Sequence, residues 1–145
     1  LRASLRVNRL LTIFVRIENW GAEADAAWRI GGGWSVNANY SWLRMEYPVP
    51  ASPEHKLYAG GDFGKGRWSV STGVQYIAGL YTAAAPDPEV REAGFVLWNL
   101  RASLRVNRLL TIFVRGENLL AERYEINAGY PMPRATVFGV LKLNL

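Results

Sequence analysis

The sequence contains no cysteine and a single histidine in 145 residues. Without thiols, neither a disulfide framework nor a thiolate metal site is available. His55 adjoins a proline-containing loop and has no second histidine or cysteine near it. No metal or catalytic role is therefore expected of it. Long apolar runs are missing too: none approaches the roughly 18 residues of a transmembrane helix. That excludes a helical span but leaves a transmembrane barrel open, whose strands need only about 9–11 alternating residues. No charged-then-apolar leader opens the chain, so a signal peptide is expected to be absent or already removed. The net charge of +5 is compatible with nucleic acid or anionic lipid as a partner. The arginines are spread through alternating segments rather than clustered, so no nucleic-acid partner is expected.

What the chain does have is one stretch twice. Residues 1–16 and 100–115 both read LRASLRVNRLLTIFVR. Ile17 then stands against Gly116, after which Glu18-Asn19 matches Glu117-Asn118. Diverged natural repeats keep a pattern and lose the letters. Here the letters are kept, so residues 1–19 read as a near-identical copy of 100–118, made by recent duplication or deliberate construction. Within each copy Leu100, Ala102, Leu104 and Val106 alternate with Arg101, Ser103 and Arg105, and after Asn107-Arg108 the alternation resumes from Leu110. A period of two around an Asn-led break predicts a β-hairpin.

The same period runs along the rest of the chain. Ala22, Ala24, Ala26, Trp28 and Ile30 form one row, and Gly31-Gly32-Gly33 predicts a turn. Trp34, Val36, Ala38, Tyr40 and Trp42 then alternate with Ser35, Asn37, Asn39 and Ser41. A segment with tryptophan at both ends is what a membrane strand with interfacial aromatics should show. Further strands are predicted from Leu57 to Phe63, Trp68 to Leu80, Phe95 to Val106, Leu110 to Asn118 and Ala135 to Leu145. Short turns (8–9, 31–33, 64–66, 107–108) alternate with longer connections (19–21, 47–54, 82–94, 119–133), as in outer-membrane barrels. The fold expected is thus all-β, a single antiparallel transmembrane β-barrel domain over 1–145. Of nine strand-like segments, eight from Leu10 to Leu145 would close, with Leu1 to Val7 an imperfectly placed extra; the alternative is a larger assembly that needs another strand.

In such a barrel the polar rows face the lumen, which at eight strands has room for side chains only. Arg16, Glu18, Glu23, Asp25, Arg29, Asp62, Arg67, Arg101, Arg105, Arg115, Glu117 and Lys142 are expected to point inward as a charge network. Trp28, Trp34, Tyr40, Trp42, Trp68 and Tyr76 are expected on the lipid side as interfacial aromatics. Asp87, Glu89 and Glu92 lack the spaced ligands and glycine of a calcium loop, and the glycine triplet lacks a phosphate-loop lysine. No cofactor, metal or catalytic residue is expected.

From Trp98 onward a more specific pattern appears. The run Phe113-Val114-Arg115-Gly116-Glu117-Asn118-Leu119-Leu120-Ala121-Glu122-Arg123-Tyr124-Glu125 and the tail from Gly129-Tyr130-Pro131 to Gly139 resemble the C-terminal end of TonB-dependent outer-membrane receptors. The resemblance implies a bacterial outer-membrane location and a piece of a roughly 22-stranded barrel with a plugged lumen. Neither plug nor energy-coupling motif is found here, so transport does not follow from it. Leu145 stands where that family usually ends in Phe, which bears on recognition by the barrel-insertion machinery as a partner.

The reading is a non-enzymatic outer-membrane barrel scaffold, engineered or truncated from such a receptor, partnered by a lipid bilayer or detergent and monomeric. The alternative is a small ion or water pore through an Arg-lined lumen. A soluble lipocalin-type barrel is disfavoured by the apolar outward rows. An outer-membrane enzyme lacks a nucleophile–base–acid set.

Overall fold

Alternation at period two leaves each segment one greasy and one polar face, and a meander of hairpins lets neighbouring segments match both faces at once. The computed structural model describes residues 2–8, 11–18, 20–45, 49–83, 91–92 and 94–144, with side chains described for 20–45, 49–83 and 94–144. The strands are β1 (Arg2–Asn8), β2 (Leu11–Glu18), β3 (Gly21–Gly31), β4 (Trp34–Leu43), β5 (Pro53–Lys65) and β6 (Trp68–Tyr81). After them come β7 (Arg91–Glu92), β8 (Phe95–Arg105), β9 (Leu110–Glu117), β10 (Glu125–Asn127), β11 (Tyr130–Pro131) and β12 (Thr136–Leu143). The fold is all-β and every pairing is antiparallel.

The main sheet runs β1-β2-β3-β4-β5-β6-β8-β9-β12, with β7 appended to β6. Two expectations are corrected by this order. The sheet is open rather than a closed eight-stranded barrel: among the described residues β1 and β12 are its edges and do not pair. The segment expected as a misplaced extra is an ordinary edge strand, since β1 pairs with β2 from Arg2↔Arg16 to Asn8↔Leu11. The reason is local. A hairpin partner is the nearest strand in sequence, and closing its short loop costs little entropy. The pairing also repeats the second copy's register, where Arg101↔Arg115 and Arg105↔Thr111 match Arg2↔Arg16 and Arg6↔Thr12. With β1 on one side of β2 and β3 on the other, β2 has no edge left for β12. Nine alternating strands also leave β1 parallel to β12, which antiparallel closure cannot join.

Turns follow the glycines. Gly31, Gly32 and Gly33 all adopt positive φ (97°, 63° and 92°), a conformation side-chain-bearing residues resist, and they turn β3 into β4. The next turn lies at Gly66-Arg67, slightly beyond the expected 64–66. Asn107 caps the β8–β9 turn: its Oδ1 accepts from the Leu109 and Leu110 amides, each at 2.8 Å. That lengthens the expected two-residue break to residues 106–109. The connection at 19–20 is also short, so the alternation of short and long connections fails at that point. β5 begins at Pro53 rather than Leu57, because β6 extends far enough to pair with it, Pro53↔Leu80. A proline without an amide donor is tolerated at a strand's first residue.

Rows of register partners define the two faces. One row crosses the sheet as Arg29, Ser35, Asp62, Ser71, Arg101, Arg115 and Phe138. Its counterpart on the opposite face runs Trp28, Val36, Gly61, Thr72, Leu100, Gly116 and Val137. The first face is polar over most strands, and the second is apolar and aromatic. A small core interrupts the polar face at one end. Phe95 and Leu97 share that face with Ile77 and Gln75, and they pack with Leu80 and Tyr124. Strict alternation along the segment from Trp68 puts Val70, Thr72, Val74, Tyr76, Ala78 and Leu80 in one outward row and so predicts Leu80 beside Ala78. Gly79, at φ +68°, breaks the alternation, and Leu80 is buried in this cluster instead.

Candidate functional site

The candidate site is the polar face between β5 and β9. Glycines at register partners Gly60 and Gly73 leave a gap there, and the ring of Tyr58 lies over both. A Cβ on Gly73 would meet the Tyr58 hydroxyl at 2.6 Å and its ring carbon Cε2 at 2.7 Å, so a larger residue there would have to displace the ring. Beside this ring lies a recess of about 230 Å³ lined in part by Ser71, Asn99, Arg101, Arg115 and Glu117.

The charged residues expected to face inward divide as follows. Arg115 and Glu117, two apart on β9, form an ion pair. Asp62 accepts a hydrogen bond from the Ser71 hydroxyl at 2.5 Å across β5–β6. Arg101 sits directly opposite Arg115, and Arg29 lies in the same row, separated from Asp62 by Ser35. Glu23 and Asp25 lie on this face of the same strand, six and four residues before Arg29, opposite Ser41 and Asn39. Arg105 and Lys142 both flank Thr111, at the short-turn end, where the Arg67 guanidinium donates to the Val106 carbonyl at 3.5 Å. The side chains of Arg16 and Glu18 lie outside the described residues; their backbones pair with Glu23 and Gly21. Arg115 and Glu117 are 54% and 37% exposed, so this pair sits on an open surface rather than in a sealed interior.

The aromatic set falls on the opposite face. Trp28, Trp34, Tyr40, Trp42, Trp68 and Tyr76 are all exposed there. Polar atoms on this face bond to one another. The Trp98 indole N–H donates to the Thr72 hydroxyl at 2.8 Å, which donates to the Asn99 carbonyl at 3.2 Å. His55 Nδ1 and the Tyr40 hydroxyl share a hydrogen bond of 2.8 Å. His55 is thus on the face away from the Ser71–Asp62 pair, and no Ser–His–Asp arrangement arises. Among the described residues no group of three potential metal ligands occurs, and no helix is long and apolar enough to cross a membrane. The latter says nothing of strands.

Sequence reasoning missed the clasp that shapes the loop after β9. Asn118, buried at φ +48°, donates through Nδ2 to the carbonyls of Glu122 (2.8 Å) and Pro133 (3.1 Å). Its Oδ1 accepts from the Glu122 amide at 3.0 Å, and its own amide donates to Asn99 Oδ1 at 2.9 Å. One side chain therefore ties both ends of the loop to the sheet. Tyr124 is carried back onto Phe95, with ring centroids 4.4 Å apart. Burial, and then the nearby Glu117 carboxylate, push the Tyr124 phenol above its ordinary pKa. The asparagine's place between a strand end and a tyrosine six residues on was the available signal.

Comparison with solved structures shows the same fold. The copper transporter OprC superposes with a TM-score of 0.70 at 17% identity, covering 97% of this chain and 30% of that one. The ferric-catecholate import receptor Fiu from E. coli K12 superposes in its closed form with a TM-score of 0.71 at 18% identity, over 97% of this chain and 26% of that one. Its open form gives 0.65 at 20% identity, over 92% and 21%. The chain therefore spans less than a third of these proteins. No curated protein sequence matches it. The model of the TonB dependent receptor-like β-barrel matches residues 7–119, most of the chain. An all-antiparallel meander with one aromatic and one charged face, carrying that match, belongs to the TonB-dependent receptor β-barrel family, whose members are receptors and transporters of the bacterial outer membrane rather than enzymes.

Proposed function

We propose that this chain is a membrane-embedded barrel wall of receptor origin that acts as a scaffold, with neither catalysis nor active transport of its own. The observation that carries the reading is the division of the sheet into one face of exposed tryptophan, tyrosine and aliphatic side chains and an opposite polar face. An exposed apolar surface of this extent needs an apolar neighbour. On β4, Trp34 and Trp42 lie roughly 26 Å apart along the strand at about 3.3 Å per residue. At a tilt of about 40° that is roughly 20 Å along the membrane normal, near the height of an outer-membrane apolar band. Hydrogen bonds such as Trp98–Thr72 and Tyr40–His55 satisfy outward polar atoms internally, which a hydrocarbon neighbour demands. The kept letters of residues 1–19 and 100–118 support a recent or deliberate copying of one hairpin.

The test is flotation of refolded protein with vesicles containing brominated lipid. Co-flotation with strong quenching of tryptophan emission is expected. Protein that stays at the bottom of the gradient, soluble and unquenched, overturns the reading. A second reading, a small pore, is favoured by the Arg101–Arg115 row and its recess of about 230 Å³. Discrete conductance steps in planar bilayers would support the pore over the inert scaffold.

A further inference from the structure

Because the hairpin is present twice, the structure contains one strand edge with two different partners. β2 and β9 differ only at Ile17 and Gly116. β2 holds β3 from Leu11↔Trp28 to Glu18↔Gly21. β9 holds β12 from Leu110↔Leu143 to Glu117↔Thr136, position for position the same register. The edge of β9 is therefore chemically the edge that receives β3. Charge favours β3 there: Glu23 is the register partner of Arg16, whereas the counterpart Arg115 has Phe138 as its partner. Opposite charges directly across a strand pair are stabilising.

β3 cannot reach β9 within one chain. Only β4, β5, β6 and β8 lie between them, and closing these six strands gives a ring narrower than the eight at which side chains just fill the interior. Arg29, Tyr58 and Arg101 would have no space. The partner strand must come from elsewhere.

We propose that the outer edge of β9 is an assembly edge that takes β3 of a second copy of this chain, in the register β2 holds with β3. Two such contacts close a two-chain ring of β3, β4, β5, β6, β8 and β9 from each copy. The count is even, every neighbour is antiparallel, and both chains cross in the same sense. A lone nine-stranded sheet instead leaves β1 and β12 with unpaired backbone groups that lipid does not satisfy. The elements displaced are the β1–β2 hairpin and β12, which leave the hydrocarbon so that water satisfies their freed backbone groups. This inference rests on the membrane reading for its driving force.

The absence of cysteine makes cross-linking clean. The variants are A24C/V114C and D25C/F113C, one pair on each face because hydrogen-bonded and non-hydrogen-bonded pairs alternate along a ladder. Five strand spacings of about 4.8 Å separate β3 from β9 in the open sheet, far beyond disulfide reach. Controls are A59C/V74C and D62C/S71C, direct neighbours in β5–β6. In oxidised detergent micelles, covalent dimer as the main product of at least one exchange pair is expected. Mixing chains carrying A24C alone and V114C alone should yield the heterodimer. Control bonds forming while neither exchange pair dimerises overturns the assembly edge and leaves the membrane sheet standing. Loss of the control bonds as well overturns both.

Discussion

Replacing Asn118 separates two physical contributions that meet at one residue. Its side chain makes three hydrogen bonds, two from Nδ2 and one to Oδ1, in a site where it is 5% exposed. Its backbone holds φ +48°, which asparagine and glycine accept more readily than alanine. Asn118→Gly removes the three bonds and leaves the backbone relaxed, so at about 1 kcal/mol net per bond it should cost about 3 kcal/mol. Asn118→Ala loses the same bonds and adds a left-handed penalty of about 1–2 kcal/mol, for a total of about 4–5 kcal/mol. Asn118→Asp keeps the acceptor but sets a carboxylate against the carbonyls of Glu122 and Pro133, and should be worse than glycine. Reversible urea unfolding in vesicles, followed by tryptophan emission, measures all three. An alanine variant within about 0.5 kcal/mol of the parent, or one no less stable than the glycine variant, would refute the clasp.

Other expectations follow from the same geometry. Tyr58→Ala should destabilise by about 2 kcal/mol, below the usual buried-aromatic loss because the ring is half-buried, while Tyr58→Phe stays within about 0.5 kcal/mol. Gly73→Ala should cost about 1–3 kcal/mol alone and much less in the Tyr58→Ala background, a coupling that a double-mutant cycle reads. Gly116→Ile makes the second hairpin match the first, but its Cβ meets Leu119 Cδ2 at 2.7 Å. Destabilisation of about 1–3 kcal/mol, relieved by Leu119→Ala, is expected in the same unfolding assay. For Tyr124 the neutral phenol is favoured in the folded protein, so its contribution is intact below pH 10.0 and is lost as pH rises through the raised folded value. Phenolate absorbance should show Tyr124 titrating late, shifted earlier by Glu117→Gln.

The residues that were legible in sequence are those whose neighbours simply alternate. On β4 the exposure of Trp34, Val36, Ala38, Tyr40 and Trp42 and the partial burial of Ser35, Asn37, Asn39 and Ser41 follow the letters one by one. The glycine triplet likewise announced its turn. Closure was not legible, because pairing alternation says which face a residue takes but not which strand occupies an edge. The copied hairpin folded on itself, and β1 took the edge of β2 that an eight-stranded ring would have given to β12. The inner apolar cluster was hidden for a different reason. Leu97 and Phe95 sit in the row of Asn99 and Arg101, and only the loop returning Tyr124 makes that end of the face dry. Leu80 was misread because one glycine in left-handed conformation shifts the phase of everything after it.

In the proposed membrane reading, one face of this sheet lies against hydrocarbon and the other does not. Single-cysteine spin labels at each position from 35 to 42, in the otherwise cysteine-free chain, test it most directly in vesicles. Oxygen accessibility should peak at Val36, Ala38 and Tyr40 while that of a water-soluble nickel chelate peaks at Asn37, Asn39 and Ser41, with a period of two and opposite phase. Oxygen and chelate accessibilities that rise and fall together, or show no period of two, would contradict it.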